Sequence, residues 1–169
     1  EGYFPFTIKS HGFGTNQISV DIEHSSQFLS ALLIASCLSP KDMHIQVVGS
    51  HGMSYIEITR RMMEQFGVRA TVSSDGKLYT IPAGQHYNAL DYQIEPDASG
   101  AAYFYALGMI LGIPVKVQHI RFDSMQGDVQ FIKILEQMGA TLKEEADGIL
   151  LYPPTDGIYH GADVDMSAC

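Results

Sequence analysis

Ser25, Ser26 and Gln27 stand where a polar run turns into the apolar periodic stretch Phe28-Leu29-Ser30-Ala31-Leu32-Leu33. A helix that starts here offers unpaired backbone N–H groups and the positive end of its dipole, and two hydroxyls and an amide add donors. These residue types suit an oxyanion such as a phosphate ester. They equally fit a plain helix cap, which needs one hydroxyl and contributes about 1 kcal/mol. Two adjacent serines followed by glutamine exceed what a cap requires. A second cluster, Gly49-Ser50-His51-Gly52-Met53-Ser54-Tyr55, leads into the next helical stretch. If both helix starts meet at one sheet edge, Ser50 or Ser54 and the Tyr55 hydroxyl reach a ligand held at Ser25 and Ser26. The alternative for Tyr55 is a half-buried ring on the core stripe.

Other polar helix starts read as structural. Asp97-Ala98-Ser99-Gly100 places a carboxylate that favours the dipole but repels an anion, and Asp128 in Ser124-Met125-Gln126-Gly127-Asp128 sits where a cap belongs. The histidines at 11, 24, 44, 51, 86, 119 and 160 show no metal-ligand spacing, and neither Cys37 nor Cys169 forms a CxxC pair. No metal site is expected. The chain has no Walker loop, no dinucleotide-binding glycine fingerprint and no GxSxG elbow. Met62-Met63 at helical spacing suits a core.

The elements that must position these residues follow from periodicity: a helix over 26–37, a strand over 44–48, a helix over 55–66 and strands over 68–73 and 77–81. In the second helix Tyr55, Ile58, Met62 and Phe66 form the expected apolar stripe, with Glu57 and Arg61 paired outside it. From Ser99 the order αβαββ returns: helix 99–111, strand 115–120, helix 128–138, strands 140–145 and 149–152. Glu64-Gln65-Phe66-Gly67 matches Glu136-Gln137-Met138-Gly139, and Asp75-Gly76 matches Asp147-Gly148, both at a spacing of 72. Phe28, Ala31 and Leu32 match Tyr103, Ala106 and Leu107 at 75. Such a set marks an internal repeat. Gly67 and Gly139 suit left-handed helix ends, and each Asp-Gly a tight hairpin. The turn-rich segment Pro82 to Pro96 is the natural boundary. Residues 6–10 and 17–22, around His11-Gly12-Phe13-Gly14, read as a closing hairpin without helices of its own. Asp163-Val164-Asp165-Met166 stops without a terminating element, so a piece of a longer repeat protein is expected.

A formal charge of −9 with scattered Lys and Arg argues against a nucleic-acid surface. The longest near-apolar stretch, 101–117, is broken by Gly108, Gly112 and Pro114, so no membrane span is expected. No basic apolar leader opens the sequence, and two cysteines make no disulfide framework. A reduced, cytoplasmic location is the expectation.

The motifs Ser25-Ser26-Gln27-Phe28-Leu29-Ser30-Ala31-Leu32-Leu33, Tyr55-Ile56-Glu57-Ile58-Thr59, Phe66-Gly67-Val68, Glu95 to Phe104, Ser124 to Asp128 and Met138-Gly139-Ala140-Thr141 resemble, in order, the middle of the 5-enolpyruvylshikimate-3-phosphate synthase family. The resemblance covers essentially the whole chain. It implies an α/β (α+β) fold of repeated βαβαββ units with helices packed on mixed sheets, three units in each of two domains. Residues 1–94 would give a closing hairpin and one unit of the domain that binds shikimate 3-phosphate, and 95–169 one unit of the other domain. It further implies transfer of the enolpyruvyl group of phosphoenolpyruvate to the 5-hydroxyl of shikimate 3-phosphate, without metal or organic cofactor. By the same resemblance Ser25, Ser26 and Gln27 hold shikimate 3-phosphate, the serines at its phosphate, with Tyr55 beside it.

The sequence departs from the family where a serine usually precedes the tyrosine by three residues; here that position is Gly52, in a loop one residue shorter, with Ser54 or Ser50 as substitute or no contact at all. The family's general acid, base and cationic clamps have no counterpart in these residues, so no catalytic residue is assigned. The 169 residues alone are expected to be inactive without the remainder of the polypeptide. Competing expectations are a non-catalytic two-repeat binding or assembly module, a piece of the sibling UDP-N-acetylglucosamine enolpyruvyl transferase, or an RNA cyclase with related repeats.

Overall fold

A computed structural model describes residues 3–164. Asp165, Met166 and Cys169, which entered the reading of the C-terminal end and the cysteines, lie outside the described residues. The chain divides into two compact units, Glu1–Leu90 and Asp91–Cys169, with the division inside the turn-rich segment.

The first unit runs β1 (Gln17–Asp21), α1 (Gln27–Ser36), β2 (Met43–Val48), α2 (Met53–Gln65), β3 (Thr71–Val72) and β4 (Leu78–Ile81). This is one βαβαββ unit. Its sheet order is β1-β2-β4-β3, with β1 parallel to β2 and the other pairs antiparallel. Alternation on β2 sends Met43, Ile45 and Val47 inward, and the helical spacing of α1 sends Leu29 and Leu33 onto them. Ile22, Ile56 and Ile81 complete this core at no more than 1% exposure. Each such side chain contributes roughly 1.5–3 kcal/mol of burial.

Two expectations change here. Residues 6–10 form no strand, and β1 pairs with β2 rather than folding back on them. A two-stranded hairpin buries little, whereas beside β2 the side chains of Ile18 and Val20 pack on the core. The core face of α2 is also displaced by one residue: Ile56 and Met63 are buried, while Tyr55 is 53% and Met62 40% exposed. The cause is that α2 meets the sheet on one side and α1 on another. Ile58, Met62 and Phe66 therefore line an apolar groove with Ile34 and Tyr87, whose hydroxyl donates to the Ile34 carbonyl at 3.0 Å. On the outer face Glu57 accepts from both Arg60 and Arg61, which holds its carboxyl below the usual range through the Arg60 bond first.

The second unit runs α3 (Ala98–Leu111), β5 (Val115–Gln118), α4 (Val129–Gln137), β6 (Thr141–Glu145) and β7 (Gly148–Tyr152). Its antiparallel sheet has the order β5-β7-β6. Within this unit no strand precedes α3 among the described residues, so the unit is αβαββ, as the periodicity indicates, where the family resemblance implied βαβαββ. Its core joins Ala101, Tyr105, Ile120, Ile132, Ile149 and Leu151. Buried Tyr105 donates to the Ile149 carbonyl at 2.8 Å, tying helix to sheet.

Asp97 caps α3 as expected, accepting from Ser99 N–H at 3.0 Å. Asp128 does not cap α4. The chain enters that helix through tight turns in which Val129, Gln130 and Phe131 N–H donate to the carbonyls of Gln126, Gly127 and Asp128, leaving the carboxylate without that task.

Gln126 brackets the chain entering α3. Its Oε1 accepts from Ala98 N–H at 2.8 Å, and its Nε2 donates to the Pro96 carbonyl at 2.8 Å and to Glu95 at 3.1 Å. Because Ala98 is 1% exposed, an orphaned N–H there costs about 1–3 kcal/mol. Gln126→Ala is therefore expected to lower the unfolding free energy of the second unit by that amount, measured by urea titration; an unchanged midpoint would contradict the bracket.

Candidate functional site

In the first unit the parallel pairing of β1 and β2 decides where the polar clusters fall. Parallel neighbours end at the same edge of the sheet, and the helix following each strand starts there. The loops 22–26 and 49–52 consequently lie side by side. Gly49, at φ +86°, faces Glu23, and a Cβ built on Gly49 would stand 2.8 Å from Glu23 Oε2. Gly52, at φ +66°, faces Ser26 in the same way. Lys77, immediately before β4, donates from Nζ to the Gly49 carbonyl and anchors the second loop.

The serines have separate tasks. Ser25 Oγ accepts from Gln27 N–H at 3.3 Å. Ser26 occupies the cap position of α1 at 7% exposure yet makes no capping bond. No hydrogen bond among the described residues engages the Ser26 hydroxyl, so it has donor and acceptor capacity to spare at a helix N-terminus. Gln27 is exposed in the first turn of α1.

Tyr55 lies in the first turn of α2, its ring edge 3.7 Å from the place a Gly52 Cβ would take. It is off the core stripe and beside Ser26, so the convergence of helix starts extends to this residue. Ser54 is exposed in the same turn. One turn further along, Ser30 Oγ and Thr59 Oγ1 are 2.9 Å apart, and Thr59 also donates to the Tyr55 carbonyl at 3.0 Å. This hydroxyl pair fixes α1 against α2 behind the site. Sequence reasoning assigned no role to Ser30, Thr59 or Lys77. A hydroxyl at the fourth position of one helix and the seventh of the next is the signal for the first two; Lys77 gives none, because its reach depends on β4 lying beside β2.

The arrangement offers first-turn N–H groups of two helices, hydroxyls and an aromatic phenol around one shallow edge, a donor set suited to a phosphate monoester. Among the described residues no group of three His, Cys, Asp or Glu side chains is placed to hold a metal ion, and no helix is long and apolar enough to cross a membrane.

Solved structures define the class. The chain superimposes on EPSP synthase from Acinetobacter baumannii with a TM-score of 0.61 at 22% identity, covering 82% of this chain and 32% of that one. The enolpyruvyl transferase NikO from Streptomyces tendae gives 0.54 at 12%, covering 82% and 35%. The fold is that of the enolpyruvyl transferases.

The chain belongs to the EPSP synthase (3-phosphoshikimate 1-carboxyvinyltransferase) family, whose model matches residues 1–169. It is 37% identical to the 3-phosphoshikimate 1-carboxyvinyltransferase of Nostoc punctiforme over 98% of its own length and 38% of the relative's. With that of Salmonella typhimurium it is 41% identical over 99% and 38%. It thus spans 38% of the length of these relatives.

Proposed function

We propose that the chain is the part of a 3-phosphoshikimate 1-carboxyvinyltransferase that holds shikimate 3-phosphate, with Ser25 and Ser26 at the phosphate and Gln27, Tyr55 and Ser54 beside it. The whole enzyme moves the enolpyruvyl group of phosphoenolpyruvate to the 5-hydroxyl of that substrate in the shikimate pathway, without metal or organic cofactor, in the cytoplasm. The observation that carries this reading is the meeting of two helix N-termini at the ends of parallel strands, with Ser26 buried there and making no capping bond.

The first unit belongs to the domain that binds shikimate 3-phosphate, and the second to the other domain. Acid, base and cationic clamps come from the remainder of the polypeptide, so these residues alone bind weakly and do not turn over. Apolar surface supports a larger assembly: on α3, Tyr103, Phe104, Leu107, Ile110 and Leu111 are all at least 49% exposed. A helix apolar on most sides belongs inside a larger core. The sibling transferase and the free-standing module have no feature here that favours them over this reading.

Calorimetric titration tests the proposal. Shikimate 3-phosphate is expected to give saturable heat and shikimate none at the same concentrations, because the donors converge on phosphate. Equal heats from both, or none from either, would refute it.

A further inference from the structure

We infer that Gly52 is a positioning residue of this site: its missing side chain lets the first turn of α2 close onto Ser26, so that the backbone N–H groups of that turn and the Ser26 hydroxyl face one bound phosphate monoester. The inference rests on the reading of the site as a phosphate grip. A Cβ at position 52 would stand 2.5 Å from Ser26 Oγ and 2.9 Å from Ser26 Cβ. Contacts that short are clashes, so any side chain at 52 would displace the Ser26 hydroxyl or the turn that carries Gly52.

Two further observations bear on this close approach. Ser26 is 7% exposed, and no hydrogen bond among the described residues engages its Oγ. Gly52 is also the cap residue of the 13-residue helix α2, in left-handed conformation at φ +66° and ψ +29°; its carbonyl accepts from Tyr55 and Ile56 N–H. The unpaired N–H groups of the first turn of α2 therefore start beside Ser26. A side chain at 52 would push Ser26 and this turn apart. In this chain backbone N–H groups of the Gly52 turn supply a further donor at the phosphate.

The test compares four proteins by calorimetry with shikimate 3-phosphate: the unaltered chain, Ser26→Ala, Gly52→Ala and Gly76→Ala. Gly76 is the control for backbone strain, since it also has positive φ, +71°, but a Cβ there meets nothing within 4 Å. Gly52→Ala is expected to weaken binding five- to tenfold (about 1–1.4 kcal/mol), Ser26→Ala to weaken it further, and Gly76→Ala to leave it unchanged. Retention of Ser25 and Leu29 amide chemical shifts in Gly52→Ala shows that the unit still folds. If the unaltered chain does not bind, the phosphate reading itself fails, and this inference with it. If it binds, and Ser26→Ala loses binding while Gly52→Ala keeps it, only the role of Gly52 is overturned. Equal losses in Gly52→Ala and Gly76→Ala would likewise overturn it.

Discussion

Gly148→Ala is expected to destabilise the second unit by about 3 kcal/mol or more while leaving ligand binding by the first unit unchanged. Position 148 has φ +151°, and a Cβ there would drive into the backbone of Val117 and Gln118 on β5. Overpacking and backbone strain each cost about 1–3 kcal/mol, and the obstacle is main chain in a ladder, which cannot rotate aside. A unit of this size is stable by only about 5–10 kcal/mol, so the loss should lower its melting temperature by roughly 12 °C or more. The cores of the two units share no residue. Methyl signals of Ile149 and Leu151 should therefore vanish on heating well before those of Leu29 and Ile45. Simultaneous early loss of both sets, or no shift in either, would contradict this account of Gly148.

The second large effect is at Ser26. Ser26→Ala is expected to weaken shikimate 3-phosphate binding about 10- to 100-fold with little change in thermal stability. A hydrogen bond to a charged group contributes about 1.5–3 kcal/mol, and each 1.4 kcal/mol is a factor of ten in affinity. Stability should hardly move, because the hydroxyl makes no capping bond whose loss would matter. Ser25→Ala separates the two tasks: its Oγ accepts from Gln27 N–H, so this change removes a bond that the fold itself uses. Calorimetry and a melting curve on the same samples check both statements; a Ser26→Ala protein that binds normally would remove Ser26 from the site.

The order of elements was legible because helix and strand periods alternate cleanly between turn residues, and the repeat was legible because paired signatures recur at one spacing. What escaped depends on partners distant in sequence. β1 carries the same alternation whether it folds back on residues 6–10 or lies parallel to β2, and only the buried surface beside β2 decides between them. The stripe on α2 was misplaced by one residue because an amphipathic pattern does not say whether its apolar side chains meet a sheet or a neighbouring helix. Asp75-Gly76 and Asp147-Gly148 look alike as text. Gly76 serves a turn in open space, whereas Gly148 admits the backbone of β5. Ser25, Ser26, Gln27 and Tyr55 could be singled out from type and position. The reason for glycine at 52 could not, since it is set by Ser26 across a gap of 26 residues.

The central claim is that the two helix starts of the first unit form one phosphate-binding edge. Amide chemical-shift mapping during a titration with shikimate 3-phosphate tests it most directly. The expected result is saturable movement concentrated at Ser25 to Gln27 and Gly52 to Tyr55, absent with shikimate alone. Movement centred elsewhere, in the second unit or along the apolar groove at Ile58 and Met62, or no saturable movement at all, would contradict it.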